Sequence, residues 1–248
     1  MSEYRPQVIC ISGFDPSGGA GILADIKTLE MHRVQGLGVC TALTFQNENT
    51  FSGMEWVGEK NIQNQLDTLL ELYRPKAIKI GIIENLPVLN ELIDRIKSQI
   101  SEARIIWDPI LKASAGFDFH TSIHQELLQS ILTRIDLLTP NLPESQQLFK
   151  TTDPEQIANF TSCPVLLKGG HADSKLSVDV LIDHGEKYFF QHEKKNGFSK
   201  HGTGCILSSA IAANLAWGKE LSESCRNAKE YIQSILKSNK TQLAYHYE

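Results

Sequence analysis

Short apolar runs alternate with helical patterns along most of this chain, and that alternation limits its possible folds more than any other feature. Residues 7–12 (QVICIS) are too few for a buried helix and read as a strand. Residues 20–34 follow with Ile22, Ile26, Leu29 and Arg33 at helical spacing on one face. The pairing recurs as strand 39–45 and helix 62–73, in which Ile62, Leu66, Leu69, Leu70 and Tyr73 face the core. It continues with strand 77–80 and helix 87–100, strand 105–107 and helix 123–132, then strand 137–138 and helix 143–149. A strand at 165–168 precedes a hairpin of 178–183 with 187–192, and helices at 205–217 and 221–236 close the pattern. Such alternation implies right-handed crossovers and a mostly parallel sheet covered on both faces. With no Pro/Gly/Ser-rich linker and no internal repeat, the expectation is a single three-layer α/β/α domain over residues 1–248. The helix at 205–217 (CILSSAIAANLAW) is apolar nearly all round and should be deeply buried. The polar residues after Lys237 are expected at the surface.

Composition narrows the partners. With 41% hydrophobic and 21% charged residues the chain is not of a disordered type. Lys+Arg 24 against Asp+Glu 29 gives a net charge of −5 without a basic run, which argues against nucleic acid or an anionic membrane. The five cysteines (Cys10, Cys40, Cys163, Cys205 and Cys225) form no C-x-x-C pair and fit reduced thiols better than disulfides or zinc. No signal-peptide pattern and no apolar run of membrane length is present, so a cytoplasmic location is expected.

Ligands of such sheets bind beyond the carboxyl ends of the strands, and the unusual sequences lie there. After the first strand comes Gly13-Phe14-Asp15-Pro16-Ser17-Gly18-Gly19-Ala20-Gly21. Its glycines allow close backbone approach to a ligand at a helix start, or simply a tight connection capped by Ser17 or Asp15. It matches neither G-x-G-x-x-G nor G-x-x-x-x-G-K-[ST]. His201-Gly202-Thr203-Gly204-Cys205 opens the apolar helix, where free amides and the helix dipole suit negative charge on a transferring phosphoryl group. The flanking glycines are expected to serve that purpose rather than packing, and Cys205 to sit where a thiolate is favoured. Thr139-Pro140-Asn141-Leu142-Pro143-Glu144 gives oxygens suited to Mg²⁺, although an ordinary helix cap has the same form. Asp108-Pro109 and Lys168-Gly169-Gly170-His171 follow two further strands, adding a carboxylate and a cation. Gln46 ends another strand with an acceptor and two donors that match an aminopyrimidine edge, or else lies solvated in a loop. His120 and His124 have metal-like spacing without a third ligand and read as surface residues.

Together the segments GFDPSGGAGILADIKT (13–28), TALTFQN (41–47), TPNLPE (139–144), KGGH (168–171) and HGTGC (201–205) resemble the ribokinase-like superfamily. Within it they are most similar to the hydroxymethylpyrimidine/phosphomethylpyrimidine kinases of thiamine synthesis. The resemblance spans almost the whole chain and implies Mg·ATP as donor. The acceptors it implies are 4-amino-5-hydroxymethyl-2-methylpyrimidine and then its monophosphate. It assigns Gly202, Thr203, Gly204 and Cys205 to the anion hole, with Cys205 also removing or relaying the hydroxyl proton. Gln46 would pair with the pyrimidine; Gly13, Ala20, Asp25 and Thr44 would frame it, and Ile82 and Ile110 would pack on its ring. Asn141 and Glu144 would organise Mg²⁺ through water with help from Asp108, while Lys168, Asn141 and Thr203 would meet the nucleotide. A homodimer is implied.

The chain departs from the pattern at Phe14, at Ile82, at Ala113-Ser114-Ala115-Gly116 with Lys112 displaced upstream, and at Gly197-Phe198-Ser199-Lys200. These bear on flap geometry, ATP contacts and substrate preference. Two rival expectations stand beside the resemblance: a pyridoxal kinase of the same fold, since some relatives with the Gly-Thr-Gly-Cys loop phosphorylate vitamin B6, and a non-catalytic vitamin-binding protein, against which the presence of Cys205, Asn141 and Glu144 argues.

Overall fold

The computed structural model describes residues 4–111, 123–169, 176–193 and 200–247. Its order is β1 (Gln7–Phe14), α1 (Gly21–Met31), β2 (Gln35–Gln46), β3 (Phe51–Trp56), α2 (Glu59–Leu72), β4 (Ala77–Ile80), α3 (Leu86–Gln99), β5 (Arg104–Trp107), α4 (Gln125–Leu132) and β6 (Leu137–Leu138). There follow α5 (Leu142–Phe149), α6 (Pro154–Phe160), β7 (Val165–Leu167), β8 (Leu176–Asp183), β9 (Glu186–Glu193), α7 (Thr203–Ala216) and α8 (Leu221–Lys237).

All nine strands join one sheet in the order β3-β2-β1-β4-β5-β6-β7-β8-β9. The stretch from β2 to β7 is parallel, and β3, β8 and β9 are antiparallel additions at the two ends. Period-two alternation sends successive residues to opposite faces. Ile9, Ile11, Ile78, Ile80, Ile105 and Trp107 join the core beneath α2 to α6, whereas Val8, Cys10, Ala77 and Ile106 join the core beneath α1, α7 and α8. Because both faces are covered, the central strands read as unbroken apolar runs. Helix α7 is buried on nearly every side, as its uniform apolarity predicts.

Several expectations shift. Strand β2 begins at Gln35 rather than at 39, and β3 and α6 were not expected. The signal for α6 is Asp153-Pro154, an N-cap whose carboxylate accepts the Glu155 amide with proline in the first turn. In α1 the buried face holds Gly21, Ala24, Asp25, Thr28 and Leu29; Ile22 and Ile26 are only half-buried, and Arg33 lies exposed beyond the helix at φ 56°. Tyr73 lies past the end of α2 in extended backbone.

The α1 face differs because a charge buried there has a partner. Lys79 of β4 and Asp25 of α1 are both 0% exposed, with Nζ 3.0 and 2.9 Å from the two carboxylate oxygens, and Ser209 of α7 adds a hydrogen bond of 2.8 Å to Asp25. The group thus ties together the sheet and two helices of one layer. Removing one member of such a pair strands the other charge in the interior. Lys79→Met is therefore expected to cost about 3–5 kcal/mol of stability, measured by urea unfolding; a loss below ~1 kcal/mol would show the pair to be solvated.

Candidate active site

The parallel strands end at one edge, and the loops that leave them there meet around the N-terminus of α7. After β1, the buried Asp15 carboxylate shapes the first glycine loop by accepting the Ser17 amide and hydroxyl and the Ala20 amide, each at 2.9 Å. It also lies 2.9 Å from His201 Nε2, immediately before the second glycine loop. Burial pushes this carboxyl up, but the bonds from His201, Ser17 and Ala20 hold it below the usual carboxylate range.

The two loops touch backbone to backbone. Gly202 has φ +75°, and a Cβ there would lie 2.0 Å from the Gly19 carbonyl oxygen; one on Gly21, at φ +58°, would lie 2.1 Å from that of Gly13. Gly202 therefore does serve packing, contrary to expectation, and its bare Cα is what allows the loops to close. The first amide bond of α7 runs from Ile206 N–H to the Gly202 carbonyl at 3.0 Å, and among the described residues no side chain caps the helix. The amides of Thr203, Gly204 and Cys205 consequently have no acceptor within the helix and point, with its dipole, at the open edge.

Cys205 is buried, and its sulfur accepts the Gly21 amide. Burial pushes the thiol up to about 11, with the Asp25 and Asp108 charges adding and Lys79 pulling the other way. The expected thiolate is thus corrected: desolvation outweighs the helix start, and the resting group is a thiol.

Facing Gly204 is a chain of charges. A Cβ on Gly204 would lie 3.5 Å from both Asp108 Oδ2 and Lys168 Nζ. Lys168 donates to Asp108 Oδ1 at 2.7 Å and lies 3.9 Å from Glu144 Oε2; Thr139 and Ser208 complete the bonds to Asp108 at 3.0 and 3.3 Å. Burial opposes the charge on Asp108, yet Lys168 and Lys79 keep its carboxyl below the usual range; Lys168 in turn is held above an ordinary lysine by Asp108 and Glu144 despite its own burial. Glu144 yields instead: burial, with the Asp108 charge, raises it to about 7. Of the two readings of the Asn141–Glu144 segment, the structure shows the helix cap. Asn141 Oδ1 accepts the Glu144 amide at 2.8 Å while Glu144 Oε2 accepts the Asn141 amide at 2.7 Å, a capping box that also fixes the carboxylate beside Lys168.

Of the residues expected around a substrate, Gly13 adjoins Gly21, and a Cβ on it would meet Ile82 Cγ2 at 3.0 Å. Ala20 is the N-cap of α1, and Thr44 donates to the Phe14 carbonyl at 2.9 Å. Gln46 closes β2 half-buried, its carboxamide without a hydrogen bond among the described residues. Ile110, half-buried, follows Asp108 at the same edge. Asp25, expected to frame the substrate, is 0% exposed, with its carboxylate bonded by Lys79 and Ser209. His124 is exposed. His120, Lys112, Ala113-Ser114-Ala115-Gly116, Gly170, His171 and Gly197-Phe198-Ser199 lie outside the described residues.

Three participants carried legible signals that the motifs overshadowed. Lys79 is a lone cation inside the apolar run Ala77–Ile80, Asp15 sits in a turn sequence, and His201 directly precedes the glycine pair.

The structure is similar to that of Bacillus subtilis pyridoxal kinase in its ADP complex, with TM-score 0.82 and 26% identity over 94% of this chain and 92% of that one. It is likewise similar to the phosphomethylpyrimidine kinase of Clostridium difficile 630, with TM-score 0.77 and 28% identity over 93% and 99% of the two chains. Fold and site together define a kinase of the ribokinase-like fold. A family model described as phosphomethylpyrimidine kinase matches residues 15–247. The hydroxymethylpyrimidine/phosphomethylpyrimidine kinase of Aquifex aeolicus is 32% identical over 242 residues, covering 94% of each chain, and its Staphylococcus aureus (strain MSSA476) counterpart is 32% identical over 241 residues, 92% of this chain and 87% of that one. The chain belongs to the phosphomethylpyrimidine kinase family.

Gly202→Ala is expected to force the loops apart, costing more than ~1 kcal/mol in urea unfolding because the residue is at positive φ against a carbonyl. Phosphoryl transfer should fall with it, and a variant of wild-type stability and rate would refute the contact.

Proposed function

We propose that the protein transfers the terminal phosphoryl group of ATP to the hydroxymethyl oxygen of 4-amino-5-hydroxymethyl-2-methylpyrimidine, and then phosphorylates the monophosphate, within thiamine biosynthesis. The observation that carries this is the meeting of uncapped α7 amides with the Asp108–Lys168–Glu144 chain across Gly204. The names of the relatives support the pyrimidine, and the ADP complex of the Bacillus subtilis enzyme supports an adenine nucleotide. The whole chain acts as one kinase domain in this reading, consistent with one continuous sheet. In this reading it works in the cytoplasm as a homodimer. None of the described helices is long and apolar enough to cross a membrane.

In the proposed mechanism, the amides of Thr203, Gly204 and Cys205 receive the charge that spreads over the transferring phosphoryl oxygens, already oriented before the reaction. Lys168 meets the nucleotide phosphates. Gln46 orients the pyrimidine through its amino group and ring nitrogen, between Gly13, Thr44 and Ile82. Cys205, a resting thiol, gives its S–H proton to an oxygen of the transferring phosphoryl group and takes the hydroxyl proton in its place, with Lys79 nearby to favour the transient negative charge on sulfur. Among the described residues no three His, Cys, Asp or Glu side chains cluster to hold a metal directly. Two carboxylates and a carboxamide beside a lysine fit Mg²⁺ retained through its waters, where it would neutralise phosphate charge. Asp108, Asn141 and Glu144 are the residues that would hold it.

A second reading, phosphorylation of pyridoxal, is favoured by the similarity to the Bacillus subtilis pyridoxal kinase. Incubation with Mg·ATP and each alcohol separately, followed by mass spectrometry, distinguishes them. The pyrimidine is expected to gain one and then two phosphoryl groups, and product from pyridoxal alone would reverse the assignment. Cys205→Ala is expected to lose most turnover while still binding the pyrimidine; near-normal turnover removes the thiol from the mechanism.

Since Glu144 is neutral below about 7 and charged above it, kcat/KM for Mg·ATP should rise with pH through that region. Glu144→Gln should abolish this inflection. Its persistence in the variant would assign it to another group.

A further inference from the structure

Lys200 and the tail after α8 form a clasp for which the chemistry above has no use. Lys200 is only 7% exposed, yet among the described residues its ammonium is bonded by neutral oxygens: the Asn239 carbonyl at 2.8 Å, Asn239 Oδ1 at 2.7 Å and the Thr241 carbonyl. These three acceptors stand in for the water that burial removes. The tail is also bonded within itself, since Asn239 Oδ1 accepts the Thr241 amide at 2.8 Å and Asn239 Nδ2 donates to the Leu243 carbonyl at 2.9 Å. The polar residues after Lys237 lie at the surface as expected, with Lys240, Thr241 and Gln242 exposed, while Asn239 and Leu243 are half-buried, the latter against Gly19.

The next contacts lead directly to the anion hole. His201 N–H donates to the Gln242 carbonyl at 2.9 Å, and its imidazole is bonded to Asp15. The His201 ring and Leu243 close over Gly19, where a Cβ would lie 2.6 and 2.8 Å from their carbons. Gln242 Nε2 reaches Asn49 Oδ1, just after β2, at 3.2 Å. Residues 239–243 therefore join the start of the second glycine loop, the first glycine loop and the end of β2.

We propose that this clasp is a positioning element for phosphoryl transfer: Lys200 bonded to Asn239 fixes the amides of Thr203 to Cys205 against the Gly19 loop. The proposal rests on the phosphoryl-transfer site described above. Neither Lys200 nor Asn239 touches substrate in this scheme; both act through the backbone of residues 201–205.

The test uses Lys200→Met, Asn239→Ala and Asn239→Asp in the full chain. The first two are expected to lower kcat by about tenfold to a hundredfold, as small misplacements of a reacting geometry do, with KM for the accepted alcohol within about twofold. Asn239→Asp keeps an oxygen for Lys200 but loses the amide donor to the Leu243 carbonyl, so it should retain clearly more of kcat than Asn239→Ala. Hydrogen–deuterium exchange at amides 201–206 should be faster than wild type in the first two variants, and slower in Asn239→Asp than in Asn239→Ala. Unchanged kcat in Lys200→Met or Asn239→Ala overturns the proposal, and so does an equal loss in all three variants. If both loss variants fail to fold, the clasp serves folding and the positioning role is refuted. A wild-type protein that phosphorylates neither alcohol refutes the functional reading instead, while the exchange rates still decide the clasp.

Discussion

The contact of Gly202 with the Gly19 carbonyl governs the site. Two helices, α1 and α7, begin within touching distance, and their first turns approach only because no Cβ intervenes. A hydrogen-bonded loop alone would leave freedom between them; the Asp15 carboxylate removes it by bonding Ser17, Ala20 and His201 together. The α7 amides proposed to bind the anion are therefore set by backbone packing and one buried carboxylate. That is the kind of preorganisation that makes a dipole effective when charge develops.

Beneath the loops, the charged groups are arranged by depth. Lys79 and Asp25 are fully enclosed and pin α1 and α7 to the sheet, whereas Lys168 and Asp108 lie beyond the strand ends, beside the start of α7. Lys79 also acts on Cys205, opposing the burial that keeps the sulfur protonated. One cation thus supports the architecture and biases the chemistry above it.

Much of this was legible in the sequence. The strand–helix alternation specified the parallel sheet and placed the motifs at its carboxyl edge, and the glycine pairs marked the two helix starts. The helical face of α1 was misjudged because spacing alone favours Ile22 and Ile26, while Asp25 is buried by a partner 54 residues away that periodicity does not reveal. The thiolate expected at Cys205 was wrong because a helix start and an apolar surround act in opposite directions, and only the fold decides between them. Strand β3 was missed because its residues, FSGMEW, lack a clean alternation and pair only with β2. The return of the tail depends on a lysine bonding backbone carbonyls, for which no residue pattern exists.

The opposing roles of glycine backbone and side-chain wall bear on how such kinases diverge. Positions 21 and 202 face main-chain oxygens, so no mutation there is tolerated without moving a helix. The residues proposed to line the acceptor, Thr44, Gln46 and Ile82, carry side chains on strands and loops that the sheet supports independently. On the proposed reading, variation in acceptor choice is channelled onto those positions, and a pyridine alcohol could replace a pyrimidine alcohol over evolutionary time without disturbing the two glycine loops.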